Sequence, residues 1–215
     1  MTAEQAWRAA GVRHELLMRV LPALRHDMAG PLSVARMGNT VLKRYLTAQP
    51  LDAELCQRRI GQNDEQLGQL AAGIRALSHW DVESHGRADP AVLWPAALEL
   101  ARPTLELHGL RLQSEGAAAP TGWPELAPAR LLYALIGALA YLQDSAAAPA
   151  QVSVQAEGDG LLLQSVPADP PASAEHQPDR RPLQIDHDAL ACLAADLEWP
   201  MQIGPASVLL RRPPE

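Results

Sequence analysis

Apolar residues recur along the first part of the chain at Leu17, Leu21, Leu24, Met28, Leu32, Ala35, Leu42 and Leu46, with Asn39 the one polar break. That spacing of three and four predicts an amphipathic helix from about Glu15 to Tyr45. Pro22 and Pro31 lie inside it, and each removes a donor and clashes one turn back, so kinks or breaks are expected there. Thr47 to Leu51 is a short connection. Asp52 then caps a second helix reaching about Trp80, with the stripe Leu55, Ile60, Asn63, Leu67, Leu70, Ile74 and Leu77. Two such helices form an antiparallel hairpin with too little surface to bury both stripes. Dimerisation into a four-helix bundle is the expected remedy, and packing on the rest of the same chain is the alternative.

The pattern changes after a polar stretch, Asp81 to Asp89, that carries Gly86 and reads as a linker. The expected domains are therefore 1–85 and 86–215. In the second, Ala91 to Ala101 is helical, Leu110 to Gln113 alternates like a strand, and Gly116 to Gly122 is a loop. Pro128 to Leu142 is a mainly apolar helix. Gln151 to Gln155 and Leu161 to Val166 are strands joined by the turn Gly158-Asp159-Gly160. Pro167 to Pro182 is a proline-rich loop, Asp186 to Leu197 returns to helix, and Met201 to Ile203 with Val208 to Arg211 makes a last hairpin. The fold class is α+β, a helical hairpin followed by an α/β module.

Composition narrows what such a chain does. With 215 residues, 47% of them hydrophobic, it can bury one large core or two small ones. The formal charge of −7 and the absence of a Lys/Arg cluster argue against nucleic acid as the main partner. Cys56 and Cys192 are far apart and form no CxxC unit, so they read as small buried hydrophobes of a reducing compartment. No run approaches the length of about 18 apolar residues that a membrane span needs, and the N-terminus lacks a signal pattern. A cytoplasmic protein is expected, receiving its signal from another protein or a small ligand.

His26 is the candidate reactive group. At about 100° per residue it lies about 160° from Leu24 and from Met28, so the rule that buries those two turns the imidazole towards water. Its neighbours on that face are Arg19, Pro22, Ala29, Gly30, Ser33 and Met37, most of them small. A solvent-facing imidazole with little bulk around it suits a nucleophile that meets a large partner. Asp27 can hold the Nδ1 proton and leave Nε2 free to attack phosphorus. The plain alternative is a surface histidine followed by a helix-stabilising acid.

His26-Asp27-Met28-Ala29-Gly30-Pro31-Leu32 resembles the phospho-acceptor box of two-component histidine kinases: His, an acid, a hydrophobe, two variable residues, then Pro-Leu. The resemblance implies that His26 carries a phosphoryl group and Asp27 assists its transfer. The order of elements from Leu98 to the C-terminus is similar to the ATP-binding α/β sandwich of the same kinases. Its nucleotide groups are missing. Gly137 and Tyr141 stand where the magnesium-holding asparagines belong, and neither supplies an amide oxygen. Gln164-Ser165-Val166-Pro167 replaces the adenine-reading acid and glycines, there is no Phe, and a proline-rich loop replaces the glycine-rich lid. Losing these together removes orientation and charge neutralisation of a triphosphate.

The resemblance thus points to a histidine phosphotransferase: a dimeric hairpin bearing the histidine, plus a degenerate ATPase-like domain, needing no cofactor of its own. The implied partners are response-regulator receiver domains, which bring their own magnesium and dock over the small-residue face, with a hybrid histidine kinase upstream. Gly30 stands where kinases that are also phosphatases carry Thr or Asn, so transfer with little hydrolysis is expected. A non-catalytic pseudokinase or adaptor dimer is the runner-up, and a residual kinase with a different nucleotide mode the third reading.

The other polar candidates read as structural. Asp186-His187-Asp188 is a capped helix start rather than a metal site. His14, His79, His85, His108 and His176 are solvated or structural, and Arg180-Arg181 reads as solvated charge, with contact to an acidic receiver the alternative. The five tryptophans are core anchors in a chain with no Phe.

Overall fold

The computed structural model describes residues 2–47, 52–107, 109–113, 120–146, 150–167 and 183–214. The expected connection after Thr47, most of the Gly116–Gly122 loop, nearly all of the proline-rich loop with His176 and Arg180-Arg181, and His108 lie outside the described residues. Helix α1 spans Ala3–Thr47 and α2 spans Ala53–Leu77, closed by a 3-10 turn at Ser78–Trp80. They are followed by α3 (Pro90–Leu107), β1 (Leu110–Gln113), α4 (Pro128–Ser145), β2 (Ala150–Glu157), β3 (Gly160–Pro167), α5 (His187–Asp196), β4 (Met201–Ile203) and β5 (Ser207–Leu210). Asp52 caps α2 as expected, accepting the Leu55 N–H at 2.8 Å.

The chain divides into two compact units, Met1–Val20 with His79–Glu215, and Leu21–Ser78. The first twenty residues therefore belong with the α/β module, unlike the 1–85 boundary read from the sequence. Helix α1 carries two stripes. Ala9, Val12, Leu16 and Val20, spaced three and four apart, are buried in the α/β unit. Leu21 onwards follows the offset stripe of the hairpin unit. Pro22 and Pro31 sit within continuous helix, so neither ends it. Each still denies one carbonyl, that of Met18 or Asp27, its donor one turn on.

In the α/β unit the sheet order is β1-β2-β3-β5-β4, with β1 parallel to β2 and every other pair antiparallel. Alternation along β2 puts Ala150, Val152 and Val154 inside and leaves Gln151, Ser153 and Gln155 on the wetter face. Helix α4 is buried almost all round, as its nearly unbroken apolar sequence demands. Four tryptophans serve the core: Trp80 meets Tyr133 edge-on, Trp123 meets Trp199, and Trp94 is 1% exposed. Trp7 is the exception, 81% exposed, because it lies about 160° round the helix from Ala9.

In the hairpin unit, Met28 lies against Gly73 and Asn63 donates to the Asn39 side-chain oxygen at 2.6 Å. One helix's numbers rise as the other's fall, the pairing of antiparallel neighbours. Leu32, Ile60, Leu67 and Ile74, all stripe residues, remain about half exposed. Among the described residues no helix is long and apolar enough to cross a membrane.

Candidate functional site

Helix α1 turns its stripe at Leu24 and Ala35 inward, at 6% and 4% exposure, and that periodicity throws His26 outward. The imidazole is 90% exposed and the Asp27 side chain 68%. Their Nδ1 and Oδ1 atoms are 3.7 Å apart, beyond hydrogen-bond range. Among the described residues the ring makes no hydrogen bond. Both nitrogens are therefore open to a partner.

Pro22, Ala29, Gly30, Ser33 and Met37 share this exposed face. Gly30 has open space where a Cβ would stand. Arg19, read from the sequence as part of the same face, is instead buried, with a side chain 1% exposed. Its guanidinium forks onto Asp144 at 2.7 and 3.1 Å, reaches Glu15 at 3.0 Å and donates to the Leu183 carbonyl at 3.1 Å. Asp144 also accepts the Ile185 N–H at 2.7 Å. Burial alone would lower the Arg19 pKa; the hydrogen bonds and charge of Asp144, then those of Glu15, outweigh it and raise it. Arg19 is a structural tie of the α/β unit. The periodicity Val12, Leu16, Arg19 was the available signal that it faces inward.

The positions at which the kinase resemblance places nucleotide ligands are taken up by packing. A Cβ on Gly137 would stand 2.7 Å from Leu193, 3.3 Å from Leu190 and 3.4 Å from Leu16. Tyr141 is 5% exposed and donates to the Gly204 carbonyl at 2.8 Å. Gln164 to Pro167, in place of the adenine acid and glycines, continues strand β3, with Gln164 opposite both Ser153 and Ser207.

Elsewhere, Asp186 caps α5 by accepting the Ala189 N–H at 2.7 Å, the structural role expected of it. No group of metal-ligating side chains occurs among the described residues. Cys56 and Cys192 are free thiols, Cys56 buried and Cys192 partly so.

No family model matches the chain, and no curated protein matches it. Among solved structures, a bacterial phosphotransferase aligns over 91% of this chain and 94% of its own at 10% identity and a TM-score of 0.34. A histidine kinase from Burkholderia phymatum STM815 aligns over 98% and 97% at 17% identity and a TM-score of 0.36. Superposition at that level does not establish a shared fold, so the chemistry of the site rests on its own residues.

Proposed function

We propose that this chain is a histidine phosphotransferase of a two-component relay, carrying a phosphoryl group on His26 between receiver-domain aspartates. The observation that carries the reading is the 90% exposure of an imidazole beside a carboxylate on a face of small residues. Nε2 contributes its lone pair to phosphorus while the bond from phosphorus to the donor's carboxylate oxygen breaks, and that oxygen leaves with the bonding electrons. The positive charge that develops on the ring is met by Asp27. A second receiver's carboxylate reverses the step. Gly30 favours this use: a larger residue would fit this chain without a clash, so the room there serves the approach of a partner.

The receiver supplies the magnesium, and this chain needs no nucleotide. The leucines packed around Gly137, the Tyr141 hydroxyl held by Gly204 and the paired strand at Gln164 to Pro167 support that part. The half-exposed Leu32, Ile60, Leu67 and Ile74 support a homodimer whose hairpins join in a four-helix bundle. A hybrid histidine kinase is the upstream source of phosphate.

The test is incubation with an acetyl-phosphate-charged receiver domain, wild type against His26→Ala. Acid-labile, alkali-stable label on the wild type alone is the expected result. Receiver binding without movement of label would make the chain an adaptor and sink the relay.

A further inference from the structure

We propose that Asn39 and Asn63 form a polar layer across the homodimer, where the amides of two chains meet and fix both the register and the choice of partner. The inference rests on the homodimer reading and adds to it what makes the partner a second copy of this chain. The hairpin unit holds two helices, so what buries a residue of one is the other. On α2, Cys56, Asn63 and Leu70 are buried or half-buried, whereas Ile60, Leu67 and Ile74, seven apart, stay about half exposed. On α1, Ala35 is buried and Leu42 half-buried, and the open row, again seven apart, is Leu32, Asn39 and Leu46. At about 100° per residue each open row is turned roughly 40–50° from the buried residues of its own helix, in the same rotational sense. Because the helices run antiparallel, the two rows fall on one side of the hairpin.

Asn39 is the one polar residue in either row. Its side-chain oxygen accepts from Asn63 Nδ2 at 2.6 Å, so the two amides stand at one height along the hairpin. Room for them is built in: a Cβ on Gly38 would fall on the Asn63 side-chain oxygen. Asn63 is buried and Asn39 exposed, and among the described residues Asn39 Nδ2 donates to no acceptor. Covering the rows encloses that amide among leucine and isoleucine, where an unpaired donor is costly. A two-fold axis parallel to the helices sets the partner's Asn39 and Asn63 at the same height, and these supply the acceptor. A slip of one turn, or a different hairpin with an apolar residue at that height, leaves the donor unpaired. The layer therefore selects register and partner, as a single buried asparagine does in a coiled coil.

The experiment co-expresses two full-length chains carrying tags of different mass and counts the dimers by native mass spectrometry. Wild type is paired with Asn39→Leu and, separately, with Asn39→Ala, the smaller apolar replacement. Thr40→Leu, exposed and about 100° round the helix from Asn39, is the control. Loss of the Asn63 bond inside a variant chain is the same in either kind of dimer and cancels from the comparison. Mixed dimers of wild type with either Asn39 variant should be about ten-fold rarer than chance pairing gives, the cost of one unpaired buried amide. Wild type with Thr40→Leu should pair at chance.

Chance pairing with both Asn39 variants would overturn the layer and leave the homodimer standing. Equal depletion of mixed dimers in the Thr40→Leu control would overturn it too. A wild-type chain that stays monomeric would bring down the homodimer reading, and the layer with it.

Discussion

Replacing Arg19 by Ala separates a structural tie from a docking residue. The substitution deletes the fork onto Asp144, the bond to Glu15 and the donation to the Leu183 carbonyl. It takes the guanidinium away from two carboxylates, 11% and 17% exposed. Removing one partner of a buried pair costs about 3–5 kcal/mol. Both acids have some access to water and Asp144 keeps the Ile185 N–H, so the lower end, about 3 kcal/mol, is expected. At roughly 2–4 °C per kcal/mol for a domain of about 150 residues, Tm falls by roughly 6–12 °C. Circular dichroism at one fixed protein concentration measures it, since self-association would make Tm concentration-dependent. Arg19→Lys keeps the charge but loses the fork and should fall between. Replacing Arg19 and Asp144 together by Leu should recover part of the loss, because no uncompensated charge remains at Asp144. A Tm within about 2 °C of wild type, with transfer to receivers nevertheless impaired, would refute the reasoning and return Arg19 to the docking face.

Gly38→Ala places a Cβ on the Asn63 side-chain oxygen and should break the Asn39–Asn63 bond. The lost bond, at about 1–3 kcal/mol, exceeds the helix gain of about 1 kcal/mol, so denaturant unfolding should show net destabilisation. Gly30→Ala meets only open space and should stabilise the same unit by up to about 1 kcal/mol; a loss there would mean that the face is already covered. Gly137→Asn should lower Tm through overpacking of about 1–3 kcal/mol against Leu190 and Leu193. Calorimetry should find no binding of magnesium ATP to that variant or to wild type, and saturable micromolar binding would contradict the packed-site account.

What was legible in the sequence was local. The stripe through Leu24 and Met28 was enough to turn His26 outward, because helix geometry alone relates positions two apart. The elements of the α/β unit were readable from alternation and turn residues, with Gly158 at φ +62 making the β2–β3 turn. What was not legible depended on partners far along the chain. Arg19 looked like a solvent-facing cation because its carboxylate, Asp144, lies 125 residues away. The division of α1 between two units was hidden because its first stripe, Ala9 to Val20, is partly made of alanine and valine and finds its partners only beyond residue 79. Of the kinks or breaks expected at Pro22 and Pro31, the breaks do not occur: each proline forfeits one backbone bond and the helix runs on.

The most direct measurement locates the phosphorus atom. The chain carrying isotope-labelled histidine is phosphorylated by a charged receiver domain and examined by nuclear magnetic resonance for coupling between phosphorus and ring nitrogen. The account predicts a phosphorus bonded to Nε2 of His26 and nowhere else. Phosphate on another residue, or a ring that stays unmodified while the receiver loses its phosphate, would contradict it.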